Sequence, residues 1–260
     1  MTLLLNISVP RTGSTHLNHH LRALSGMQVF DEVFNPNKSF SIKPEHLAYI
    51  ADRWGKKLND DTSDDKTVKW VRSHPTEMFE LFEHFAGERT ASVKIFPRHL
   101  DRKYVINTLL PRTDIVSLVL YRRVIDSYAS AEKARQNNSW REIDTTGMQV
   151  TGNVKHFRGW ARHQQAWYAE CRTAIEGAGQ PFNVLRYDEH LDRGSEKLFT
   201  TLEAFLQSSG IDPGQRGPMK YATEKQDASP DYSTKFANWD EFSAGLDKAG
   251  LLDLATGYFD

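Results

Sequence analysis

The sequence predicts an α/β protein of three layers, α/β/α, with helices packed on both faces of a mostly parallel central sheet. Three observations predict it. Short, nearly continuous apolar runs suit strands buried on both faces, longer segments show helical periodicity, and the two kinds alternate along the chain.

Residues 3–9 form the first apolar run, ended by Pro10 and Gly13. Leu17, Leu21 and Leu24 follow at spacings of four and three, with Ser14 or Thr15 placed to open the turn, so the order is strand, tight loop, helix. Residues 44–58 read as a helix, and residues 59–66, where Asp60, Asp61, Asp64 and Asp65 crowd together, as a solvated loop. Residues 75–85 carry Met78, Phe79, Leu81, Phe82 and Phe85 at helical spacing, a stripe that belongs in a core. Residues 92–96 and 115–120 are two further buried strands, with a crossover helix expected over 99–110. Residues 124–137 and 154–175 are helical by pattern, whereas 138–153 have no period and suit a surface connection or a substrate lid. A strand over 182–186, a helix over 189–208, a Gly/Pro-rich turn region over 210–218 and a closing helix over 239–254 complete the chain. Neither an internal repeat nor a Pro/Ser-rich linker interrupts it, so residues 1–260 are expected to form one domain.

Bulk composition narrows the function classes. Acids and bases cancel to a formal charge of −1, so a basic site must come from local arrangement, and nucleic acid is not the expected partner. Cys171 is the single cysteine; with no second thiol to pair it, it reads as a small buried residue within a helix. The apolar start is far shorter than the ~20 residues that span a bilayer and lacks a basic leader, so a soluble, cytoplasmic protein is the default expectation. No His, Cys or Asp cluster has metal-ligand spacing, and no metal is expected.

In open α/β sheets ligands collect at the carboxyl ends of the strands, which directs attention to the loops after Val9, Phe96 and Leu120. The first is Pro10-Arg11-Thr12-Gly13-Ser14-Thr15, with one glycine, three hydroxyls and one fixed positive charge entering a helix. Unsatisfied N–H groups and the dipole at a helix N-terminus favour anionic oxygens, Gly13 permits close backbone approach, and Arg11 adds a bidentate donor. The nucleotide-triphosphatase pattern is incomplete, because its first glycine and the lysine before Ser14 are missing. The third loop opens on Arg122 and Arg123, with Ser127 and Ser130 on one face of the following helix. Adjacent arginines at a helix start oppose the dipole unless an anion sits nearby.

These two segments resemble the PAPS-dependent sulfotransferases, which transfer a sulfuryl group from 3′-phosphoadenosine 5′-phosphosulfate. Val9 to Thr15 is similar to the family's 5′-phosphosulfate loop, Pro-Lys/Arg-Ser-Gly-Thr/Ser-Thr, and Arg122 to Ser130, with Asp126 between, is similar to its 3′-phosphate motif. Val184-Leu185-Arg186-Tyr187-Asp188 resembles the strand-Tyr-Glu-Asp segment of these enzymes, and Asn238-Trp239-Asp240-Glu241 resembles a phrase near the C-terminus of bacterial members. The C-terminal Arg-Lys-Gly phosphate segment of the cytosolic animal enzymes is absent. The resemblance implies a P-loop-like sulfotransferase fold and PAPS as donor, with PAP as product. It implies that Arg11, Thr12, Gly13, Ser14 and Thr15 hold the phosphosulfate, that Arg122 and Ser130 hold the 3′-phosphate, and that Tyr187 belongs to the nucleotide site. Arg11 would also stabilise the leaving phosphate.

A hydroxyl acceptor needs a proton acceptor. Three residues compete for the role. Glu32 lies in Val29-Phe30-Asp31-Glu32-Val33-Phe34, a segment similar to the one that carries the basic Glu in the bacterial trehalose-sulfotransferase-like branch. His74, in Arg72-Ser73-His74-Pro75, imitates the Thr-His-x-Pro setting of the animal enzymes, and His99 follows a strand that also carries Lys94, itself a candidate for touching the sulfuryl group. The expected acceptor is a small molecule or carbohydrate, and a homodimer is compatible with the sequence. A nucleotide kinase or NTPase, and a non-catalytic nucleotide-binding protein, are the rival readings.

Overall fold

The computed structural model describes residues 2–138, 144–219 and 231–259. Five strands, β1 (Leu3–Ile7), β2 (Met27–Phe30), β3 (Thr90–Ile95), β4 (Ile115–Tyr121) and β5 (Phe182–Arg186), form one sheet in the order β2-β3-β1-β4-β5. Every pairing is parallel. The continuous apolar runs have the cause expected of them: in β1, Leu3, Leu5 and Ile7 enter one core while Leu4 enters a second on the opposite face. β4 divides likewise, with Ile115, Val119 and Tyr121 on one side and Val116, Leu118 and Leu120 on the other.

Helices supply the outer layers. α1 (Ser14–Arg22) covers the second core through Leu17 and Leu21. α2 (Pro44–Trp54), α3 (Asp65–Ser73) and α4 (Pro75–Ala86) pack on the first core, where Met78, Phe79, Leu81 and Phe82 are fully buried. α3 was not visible in the sequence pattern. Its start is fixed by Asp64, from the acidic stretch read as a loop, whose side chain accepts from the Thr67 N–H at 3.0 Å. The crossover expected over 99–110 is shorter than a helix of that length: α5 (Arg102–Tyr104) runs into a π-helical turn over Val105–Leu109.

α6 (Val124–Gln136) and α7 (Val154–Gly177) complete the first face, and α8 (Ser195–Ser208) the second. The helix expected from residue 189 begins at Ser195 because Tyr187–Leu191 is a π-helical turn. After α9 (Tyr232–Lys235), the closing helix is two pieces, α10 (Trp239–Lys248) and α11 (Leu252–Thr256), separated at Gly250, which has φ +64°. Of the connection expected over 138–153, residues 139–143 lie outside the described residues. No described helix is long and apolar enough to cross a membrane.

The strand order fixes where a ligand can enter. After β1 the chain leaves through α1 on one face, and after β4, its neighbour, through α6 on the other, which makes the carboxyl edge between them the switch point where open α/β sheets bind ligands.

Candidate active site

The two arginine-bearing loops meet at that edge. Arg122 Nη1 donates to the backbone carbonyl of Arg11 at 3.1 Å, and Arg11 Nε donates to Ser130 Oγ at 2.9 Å. Residues more than a hundred positions apart thus form one cationic cluster. Burial and the charge of Arg122 pull the Arg11 guanidinium down to about 10, still fully charged at neutral pH. The charge of Arg122 opposes that of Arg11, and Arg122 Nε is buried without a hydrogen-bond partner. An anion bound between them would satisfy the orphaned donor and relieve the repulsion.

Backbone geometry shapes the same loop. Arg11 has φ +73° and Gly13 φ +91°. Ser14 and Thr15 do not cap α1 as expected; Gly13 holds the N-cap position and no side chain accepts there. The Thr12 hydroxyl is directed inward, donating to the Val9 carbonyl at 2.8 Å, while Ser14 is buried and Thr15 exposed. Tyr187, at the end of β5, lays its ring beside Arg122, 4.6 Å from guanidinium carbon to centroid. The same ring explains Gly13, since a β-carbon at that position would lie 2.6 Å from it.

A second cluster occupies the carboxyl ends of β2 and β3. Lys94 Nζ donates to Glu32 Oε1 at 3.4 Å, Asn35 Nδ2 donates to Glu32 Oε2 at 2.8 Å, and His99 Nε2 stands 3.9 Å from Glu32 Oε2. Lys94 has a fully buried side chain and His99 is 2% exposed, whereas Glu32 keeps 13% of its side chain accessible. Burial pushes His99 down to about 4, against the opposing pull of Glu32, so the ring is neutral at pH 7. Asp31 is held below the usual carboxylate range because Lys94, Arg22 and Asn18 outweigh the opposing effect of burial.

Of the three residues expected to compete as base, the structure brings Glu32 and His99 together. His74 is engaged elsewhere: its ring stacks on Trp70 with centroids 4.6 Å apart, and its Nδ1 bonds the Trp70 carbonyl at 2.9 Å.

Three polar supports were missed in the sequence. The Tyr168 hydroxyl accepts from the Val9 N–H at 3.1 Å and donates to the Leu120 carbonyl at 2.7 Å, which ties the ends of β1 and β4 together. Asn6 donates to Asn18 at 3.1 Å, and Asn18 donates to Asp31 at 2.7 Å. Asn35 anchors Glu32. The available signal was polarity out of place, an asparagine inside the apolar run of β1 and another on the buried stripe of α1.

Among the described residues no group of His, Cys, Asp or Glu could hold a metal ion. No protein-family model matches the chain, and no curated protein matches it. Among solved structures, the chain is similar to the sulfotransferase domain from the Synechococcus PCC 7002 olefin synthase, at 15% identity and TM-score 0.44, covering 92% of this chain and 87% of that one. It is similar to a sulfotransferase from Alicyclobacillus acidocaldarius, at 14% identity and TM-score 0.48, covering 97% and 94%. It is also similar to an unliganded sugar kinase from Janibacter sp. HTCC2649, at 18% identity and TM-score 0.37, covering 82% and 98%. All three TM-scores lie below one half, so the site's own geometry carries the functional reading.

Proposed function

We propose that this chain is a PAPS-dependent sulfotransferase acting on a hydroxyl of a small-molecule or carbohydrate acceptor. The observation that carries the reading is the contact of Arg11 with both Ser130 and Arg122 at the switch point between β1 and β4. A nucleotide with phosphate groups at both ends of its ribose needs two cationic grips on one cleft, and this pairing supplies them. Arg11, with the amides of Thr12 to Thr15, would receive the phosphosulfate. Arg122 and Ser130 would receive the 3′-phosphate, Tyr187 lying against Arg122.

Sulfuryl transfer spreads charge over equatorial and leaving oxygens, so positioning and fixed cations do most of the catalysis. Arg11 neutralises the charge that develops on the departing phosphate. Glu32, after β2 as in the trehalose-sulfotransferase-like branch, takes the acceptor proton while the acceptor oxygen bonds sulfur and the sulfur–phosphate bridge breaks. Lys94 and Asn35 orient Glu32. No step requires a metal.

Calorimetry with PAP against ADP and ATP tests the donor. Preference for PAP, lost in R122A, supports the reading, and tighter binding of ATP-Mg in its place would return the chain to the kinases. A labelled-sulfate screen of metabolite extracts then finds the acceptor.

A further inference from the structure

We infer that Glu32 and His99 act as one proton-accepting dyad, His99 Nε2 being a second catalytic acceptor that shares the proton with Glu32. The inference rests on the transferase reading and concerns how the acceptor is deprotonated.

The tautomer of His99 follows from its partner. Nδ1 lies 3.2 Å from the Lys94 carbonyl, and a carbonyl only accepts, so Nδ1 carries the hydrogen and Nε2 carries the lone pair of a neutral ring. The ring has little freedom to do otherwise. Phe96 packs on it at 4.8 Å between centroids, the His99 N–H bonds the Phe96 carbonyl at 3.0 Å, and Arg72 donates to the carbonyls of both Arg98 and His99 at 2.9 Å. Nε2 is nonetheless buried without any hydrogen-bond partner, a costly state for a polar atom.

What Nε2 faces is another acceptor. Glu32 Oε2 is 3.9 Å away, too far for a direct bond, and that separation lets a single donor atom lie about 2.8 Å from both. Two acceptors converging on one buried point call for a donor, and the acceptor hydroxyl is the donor the proposed reaction brings. The charged groups facing His99 are Glu32, Lys94 and Arg72. Glu32 favours the imidazolium and the two cations oppose it, so proton uptake by His99 depends on Glu32 staying ionised.

The step balances. The acceptor O–H bond breaks, its oxygen forms the bond to sulfur, and the sulfur–oxygen bond to the phosphate breaks with its electron pair leaving on PAP. The proton remains on the Glu32–His99 pair, whose net charge goes from −1 to zero, and it belongs to neither residue alone.

Nitrogen-detected NMR of the imidazoles and single-turnover release of PAP from PAPS, with water as acceptor, test this in wild type, E32Q, H99Q and the double variant. His99 is expected as the neutral Nδ1–H tautomer at pH 7, with its Nε2 resonance moved in E32Q, where the new amide offers a donor. Each single variant is expected to slow PAP release by about 100-fold, and the double variant to be no slower than the slower single, as groups acting as a unit behave. An Nε2–H tautomer, an Nε2 resonance indifferent to E32Q, or losses that multiply in the double variant would overturn the dyad. PAP affinity, measured separately, stays near wild type in H99Q if the donor site is as proposed; a wild type that fails to bind PAP rejects the transferase reading without touching the NMR result.

Discussion

Arg122 Nη1 donates to the Arg11 backbone carbonyl across 111 residues of sequence, at 3.1 Å. This bond ties the Arg122 side chain to the backbone of a residue with φ +73°. Replacing Arg122 by alanine removes a charged donor worth about 1.5–3 kcal/mol, so PAP binding should weaken by roughly 10- to 100-fold. ADP, lacking the 3′-phosphate, should lose much less. R122K keeps the charge and gives up the planar stack on Tyr187, and calorimetry should place it between the two.

Gly13 is a tight point of the loop after β1. Alanine there meets the Tyr187 ring at 2.6 Å and must adopt φ +91°, a left-handed conformation costing about 1–2 kcal/mol for a residue with a β-carbon. G13A should lower the melting temperature and abolish PAP binding together. In G13A/Y187A, compared with Y187A alone, the clash with the ring is gone, and the remaining loss of stability reports the backbone cost together with the 3.2 Å approach to Leu191.

The sheet was legible because its strands are buried on both faces, which writes continuous apolar runs such as Leu3 to Ile7 into the chain. Arg11, Arg122 and Ser130, singled out as fixed charges and a hydroxyl beside strand ends, are brought into contact by the fold. The short connections were not legible. α3 has no long apolar stripe of its own and depends on the Asp64 cap, and the π-helical turn at Tyr187 depends on packing against Gly13 and Arg122, which only the folded chain assembles. The contact of His99 with Glu32 was hidden for the same reason: it joins the ends of β2 and β3, strands 60 residues apart in sequence whose adjacency no local pattern encodes.

Acid should destabilise the protein earlier than its carboxylates alone would. Burial is the largest cause holding His16 and His99 down to about 4 and His20 below its usual value. Between pH 6.5 and 4 the unfolded chain therefore binds protons that the folded chain refuses, and folding stability falls as pH drops through that window. Each such proton contributes up to about 1.4 kcal/mol per pH unit. Urea unfolding at pH 7, 6 and 5 should show the decline, and H20F, which keeps a ring against Phe199, should flatten it. Equal slopes in wild type and H20F would mean that His20 titrates normally.

Lys235 and Asp126 form an ion pair at 2.6 Å with 11% of each side chain exposed, joining α9 to α6 beside the Arg122 loop. Desolvating two charges is expensive, and the pair offsets that cost only while both partners remain. K235M leaves a buried carboxylate unpaired and should cost about 3–5 kcal/mol. The double variant K235M/D126L removes both charges and should recover most of the stability, because the lost attraction was largely spent on desolvation. Denaturant midpoints for the three proteins decide it: if K235M and the double variant are equally unstable, Lys235 matters through its ammonium over the Tyr232 ring, 5.5 Å from the centroid, rather than through Asp126.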